Sequence, residues 1–183
     1  MKKKLKKLTA FMVSATMVFP IFGKYPSGTF KLGWDSSFSA SAVEDLSPAE
    51  EITVTIDTGE SVTLNDNDND GYYDIGTADE LYAFASIVNN GNTTINVELT
   101  TDITVNDNVL DENGELNSDN SDNFRVWTPI GNYSNKYKGT FEGNSKTISG
   151  LYFDDFEGSY VGLFGLIKGA EIRNIGIIDS YFK

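Results

Sequence analysis

The sequence predicts a mainly β chain: a β-hairpin, one α-helix, then short strands stacked as in a β-solenoid. Three observations carry this. Ile52, Val54 and Ile56 alternate with polar residues, and Val62 and Leu64 resume the alternation beyond the turn Asp57-Thr58-Gly59-Glu60. Leu81, Phe84, Ala85 and Val88 recur at helical spacing just after Thr77-x-x-Glu80, a capping box. Further on, "TISGLYF" (147–153) overlays "EIRNIGI" (171–177), matching Ile148 with Ile172, Leu151 with Ile175 and Phe153 with Ile177 at an offset of 24 residues. A period of that size fits one turn of a solenoid, in which each coil stacks an aliphatic on its predecessor.

The 183 residues are enough for one domain plus processing segments. Residues 1–42 read as a signal peptide. Lys2, Lys3, Lys4, Lys6 and Lys7 form a positive start, and 8–22 is an apolar run shorter than a bilayer span. Ala40-Ser41-Ala42 then offers a small-x-small cleavage site, with Val43 as the first mature residue. The long spacer at 23–38 leaves open an earlier cut near Gly23 or Gly28, or an uncleaved anchor. Export is the expectation, and with it no membrane association once the segment is removed.

Composition excludes more than it proposes. The chain has no Cys and no His, which removes thiol nucleophiles, Ser-His-Asp and Cys-His arrangements, and zinc sites of thiolate or imidazole. Cutting after Ala42 leaves 7 basic and 26 acidic side chains, a net charge of −19. Such a surface repels nucleic acid and anionic lipid and suits divalent cations or neutral partners.

Taken in order, residues 43–76 hold a polar lead-in with Pro48, the hairpin and an Asp-rich loop. Residues 77–91 are the helix, with Gly91 as its left-handed stop. Its single apolar stripe has to lie against something flat. Residues 92–183 are the incomplete solenoid, beginning with Val97, Leu99, Ile103 and Val105. Within it, 106–123 ("NDNVLDENGELNSDNSDN") is an acidic excursion with little to bury, read as a loop.

Several of these stretches resemble a known family. "WTPIG" (127–131), "GTFEGNSKTISGLY" (139–152) and "YVGLFGLIKGAEIRNIGI" (160–177) are similar to the GLUG-type repeats of secreted bacterial β-helix proteins. Gly162-Leu163-Phe164-Gly165 corresponds to the motif that names them. "IGTADELYAFASIVNNG" (75–91) resembles their lead-in helix and "NVELTTDITV" (96–105) their first strands, so the likeness runs over roughly 71–182. It implies the start of a right-handed parallel β-helix with a helical cap, secreted by or displayed on a Gram-positive bacterium. It brings no catalytic residue, because the shared positions are glycines and aliphatics that shape coils. Such proteins usually have many coils, and here the second is scarcely finished. Ile175, Ile177, Ile178, Tyr181 and Phe182 would then line an uncapped last rung. The expectation is a truncated product, the first part of a longer protein, or end-to-end self-association through that rung.

The candidate site is the loop "NDNDNDGYYD" (65–74). Asp66, Asp68, Asp70, Gly71 and Asp74 spell D-x-D-x-D-G-x-x-D, in which alternate carboxylates converge and glycine permits the sharp turn. With the backbone carbonyl of Tyr72, these four Asp residues form a ligand set for calcium. It is not an EF-hand, since the twelfth position from Asp66 is Thr77 rather than Glu. A solvated Asn/Asp turn is the alternative. If metal binds, its role is to brace the hairpin against the helix. Asp154-Asp155 is the one carboxylate pair worth weighing for glycoside chemistry, but adjacent residues point apart and a turn follows. Tyr72, Tyr73, Tyr133, Tyr137 and Trp127 can stack on sugars, although aromatics in the family pack coil corners. The reading is a secreted or cell-surface module without catalysis, adhesive or structural, with a carbohydrate or host protein as ligand. The other reading is the N-terminal accessory region of a secreted polysaccharide- or protein-degrading enzyme.

Overall fold

The computed structural model describes residues 50–154 and 160–183, together with two short strands upstream. Those strands, β1 (Phe30–Leu32) and β2 (Ser36–Phe38), pair antiparallel with Phe30 beside Phe38, in a unit spanning Met1–Pro48. They fall in the stretch read as the spacer before Ala40. The rest of the expected signal peptide lies outside the described residues.

The second unit, Ala49–Lys183, begins with the expected hairpin. Strands β3 (Ile52–Thr55) and β4 (Ser61–Leu64) pair antiparallel with Ile52 opposite Leu64. Ile56 N–H donates to Glu60 O at 2.9 Å and closes the turn, where Gly59 takes φ +86°. Ile56 and Leu64 are buried, so the alternation found in the sequence does select the inner face.

The remaining strands are joined mostly by parallel pairing, and they are added in chain order. Strand β5 (Tyr73–Ile75) pairs with β6 (Val97–Leu99), and β6 with the first part of β8 (Thr140–Ser149). The second part of β8 takes β7 (Ile103–Thr104), and along its other edge lies β10 (Glu171–Ile178). Strands β9 (Tyr152–Phe153) and β11 (Tyr181–Phe182) form a separate parallel pair. Among the described residues the fold is therefore mainly β, with parallel strands and one α-helix. Parallel pairing places like beside like: Val97, Phe141 and Ile172 share one row, and Ile103, Ile148 and Ile177 another.

This register corrects the expected repeat. Ile148 stands beside Ile177, an offset of 29, and Ile172 stands beside Phe141, an offset of 31; the 24-residue overlay is not used. The offset changes within the ladder because the pairing jumps from Arg173/Glu142 to Ile175/Lys146, setting residues 143–145 against Asn174 alone. Asn144, Ser145 and Asn174 all adopt left-handed φ there, so both strands bend at the same point. Isolated aliphatics among glycines align almost equally well at several offsets, and a bulge switches parity midway.

Helix α1 (Ala78–Asn89) connects β5 to β6. Thr77 Oγ1 accepts from Glu80 N–H at 3.2 Å, and Glu80 Oε2 reaches back to Gly76 N–H at 2.8 Å, completing the capping box one residue further out than usual. At the other end Gly91 N–H donates to Val88 O at φ +119°. The helix is more enclosed than a single stripe suggests. Tyr82, Ala83 and Ile87 are buried along with Leu81, Phe84, Ala85 and Val88. One side meets the β3–β4 hairpin. Elsewhere Tyr82 stands edge-on to Trp127 at 5.0 Å, and Phe84 packs on Tyr137 and Phe141 at 5.4 and 5.9 Å. Burying a side chain of this size contributes about 1.5–3 kcal/mol, so the helix is held by the core far more than by its own propensity.

The acidic excursion also buries more than expected. Leu110 bridges to Leu116 across a tight turn, and a 3-10 turn covers Ser121–Asn123. Val109 is fully buried with Phe124 and Tyr152 in a second, small apolar cluster.

Candidate metal centre

The Asp-rich loop joins β4 to β5, and its base is closed by Asp74 N–H donating to Asn65 O at 2.8 Å. Inside it, Asp66 acts as the organiser. Its two carboxylate oxygens accept from Asp70 N–H at 3.1 Å and Gly71 N–H at 3.0 Å. Asp70 Oδ1 in turn accepts from Tyr72 N–H at 3.0 Å. Two residues take left-handed φ to make this curl, Asn69 at +58° and Gly71 at +93°.

Of the four carboxylates expected as ligands, three come together. Asp66, Asp68 and Asp70 each offer one carboxylate oxygen, and all three atoms lie within 4.8 Å of one another. Calcium–oxygen distances of about 2.3–2.6 Å allow two ligands of one ion to be separated by roughly 5 Å. The spacing therefore fits a hard cation. Asn69 Oδ1, in the same loop, is buried without a hydrogen-bond partner. Without a cation, each carboxylate pair repels by about 1 kcal/mol even at the dielectric of water.

Asp74 does not join them. Its Oδ2 is taken by Asn67, through Nδ2 at 2.6 Å and N–H at 3.2 Å. The Tyr72 phenol lies 3.5 Å from Arg173 Nη2.

What the sequence did not suggest is a row of carboxylates across the sheet beside this loop. Parallel register sets Asp74 beside Glu98, Glu98 beside Glu142, and Glu142 beside Arg173. Burial pushes the Glu98 carboxyl above its ordinary value; a hydrogen bond from Asn144 opposes this, while Asp70, Asp74 and Asp68 add to it. Glu142 is shifted the other way by the Asn144 N–H, by Asn174 and by Arg173. Nothing in the local sequence marks Glu98 or Glu142, because only strand pairing across more than 40 positions brings them into line.

A second polar cluster ties the hairpin to the helix. Arg125 meets Asp57 through Nε at 3.1 Å and through Nη2, meets Asp79 through Nη1 at 2.6 Å, and lies 3.5 Å above the Tyr82 ring. The remaining sequence candidates separate clearly. Trp127 and Tyr137 are core residues, 1% and 0% exposed, and their faces are closed to a sugar. Tyr133 is 76% exposed, with Lys136 Nζ 5.0 Å from its ring centre. Asp154 is exposed and lies 3.4 Å from the Tyr152 hydroxyl, while Asp155 lies outside the described residues.

Comparison with known proteins adds one likeness. Over 56 residues the chain is 36% identical to a protein of Evansella cellulosilytica named as a Gly-rich membrane protein. The match covers 30% of this chain and 6% of that relative's length. No family model and no solved structure matches. Among the described residues no helix is long and apolar enough to cross a membrane.

Proposed function

We propose that this chain is a non-catalytic module displayed outside the cell, built as the opening of a right-handed parallel β-helix and braced by calcium at its N-terminal loop. The observation that carries the reading is the order of parallel pairing. Segment 127–131, "WTPIG", runs beside Gly162-Leu163-Phe164-Gly165, with Ile130 bridged to Phe164 and Gly165 N–H bonded to Ile130 O at 2.9 Å. The chain then sets Tyr137 beside Ile167, Phe141 beside Ile172, Ile148 beside Ile177 and Tyr152 beside Tyr181. Each partner comes 29 to 34 residues later in sequence, a near-constant spacing of the kind that successive coils require. The segments that resemble GLUG repeats are thus the ones laid side by side.

The surface supports a scaffold more than a reaction centre. The carboxylates of the Asp-rich loop and of the row beside it are half-buried or exposed, whereas Trp127, Tyr137 and Phe141 are buried. The test is expression of the full chain in a bacterial host, followed by fractionation and determination of the N-terminal residue. Recovery outside the cytoplasm with Val43, or a residue near Gly23 or Gly28, at the new N-terminus supports the reading. An intact chain starting at Met1 in the cytoplasm would sink it.

A further inference from the structure

No further inference is drawn: the strongest candidate, the outer edge of β10 with Ile172 half-buried and Ile177 39% exposed where Phe141 and Ile148 beneath them are fully buried, carries nothing because nothing in the structure shows what covers it.

Discussion

Arg125 grips Asp57 from 68 positions away in sequence, and with its remaining nitrogen it holds Asp79. Asp57 is in the hairpin turn and Asp79 in the first turn of α1, so one guanidinium joins two elements that share no strand pairing. Its face also covers Tyr82. The side chain of Arg125 is 21% exposed, but those of Asp57 and Asp79 are 50% and 45% exposed, so solvent screens much of the attraction. Arg125→Gln is expected to lose about 1–2 kcal/mol, combining weak ion pairs with a cation–π contact. Urea denaturation of the variant, and of Asp57→Asn alone and combined, measures the coupling. A coupling near zero would mean that the clamp is only geometric.

The same contact has a pH signature. Hydrogen bonding to Arg125 holds the Asp57 carboxyl below its ordinary value, against the opposing effect of partial burial. A depressed carboxylate pKa stabilises the fold at pH above the unfolded-state value, about 4, and that contribution is lost as pH falls through the folded value. The unfolding midpoint of the unaltered chain should therefore drop as the pH falls below about 4. In Arg125→Gln the drop should be shallower. Parallel curves for the two proteins would refute the assignment.

Glu98 behaves in the opposite sense. Its raised pKa means that its charge opposes folding at neutral pH, and the folded state gains as pH falls through that value. Glu98→Gln keeps an oxygen for Asn144 Nδ2, now at 2.8 Å from Oε2, and removes the charge that faces Asp74 and Glu142. The variant is expected to be more stable at pH 7 by about 0.5 kcal/mol, the scale of a like-charge cross-strand pair. That gain should vanish near pH 4. A destabilised variant at pH 7 would show that the Glu98 charge is needed.

Two glycines separate steric need from conformational need. Gly150 has φ +76°, and a Cβ there would fall 1.8 Å from Asn106 O, in a tight backbone crossing. Gly169 has φ +75° with nothing within 4 Å. Gly169→Ala should cost about 1 kcal/mol, the left-handed penalty alone. Gly150→Ala should cost several times more or fail to fold, since backbone has to move. Equal losses in thermal unfolding would show that residue 106 yields freely.

The hairpin, the capped helix and the three converging carboxylates were legible because each is local. Alternation at 52–64, Thr77 with Glu80, and Asp66-x-Asp68-x-Asp70-Gly71 are all set within a dozen residues. Strand register was not legible. The bulge opposite Asn174 depends on how two segments 30 residues apart meet, and the sequence shows only that both contain isolated isoleucines. Asp74 illustrates the same limit within the site: its spacing suits a ligand, but nothing in that spacing records the hydrogen bonds it accepts from Asn67. That Trp127 and Tyr137 pack inward was expected only from the family resemblance, because nothing local records that α1 would cover them.

Calcium binding gives the sharpest prediction for the loop. Asp66, Asp68 and Asp70 bring their oxygens within 4.8 Å in a chain whose net charge is −13, so a divalent cation relieves repulsion there. A ligand that binds only the folded state adds RT ln(1 + [L]/Kd), about 2.7 kcal/mol at a hundredfold excess over Kd. Thermal unfolding in millimolar calcium should therefore run several degrees above that in EDTA. Asp68→Asn with Asp70→Asn should abolish the shift. The same pair in EDTA should be neutral or slightly stabilising, because it removes like charges. Asp74→Asn should leave most of the calcium shift in place, since that carboxylate is already engaged by Asn67. Loss of the whole shift in Asp74→Asn would mean that the loop rearranges on binding to recruit the fourth aspartate. Absence of any shift in the unaltered chain would make the loop a hydrogen-bonded turn built around Asp66 and nothing more.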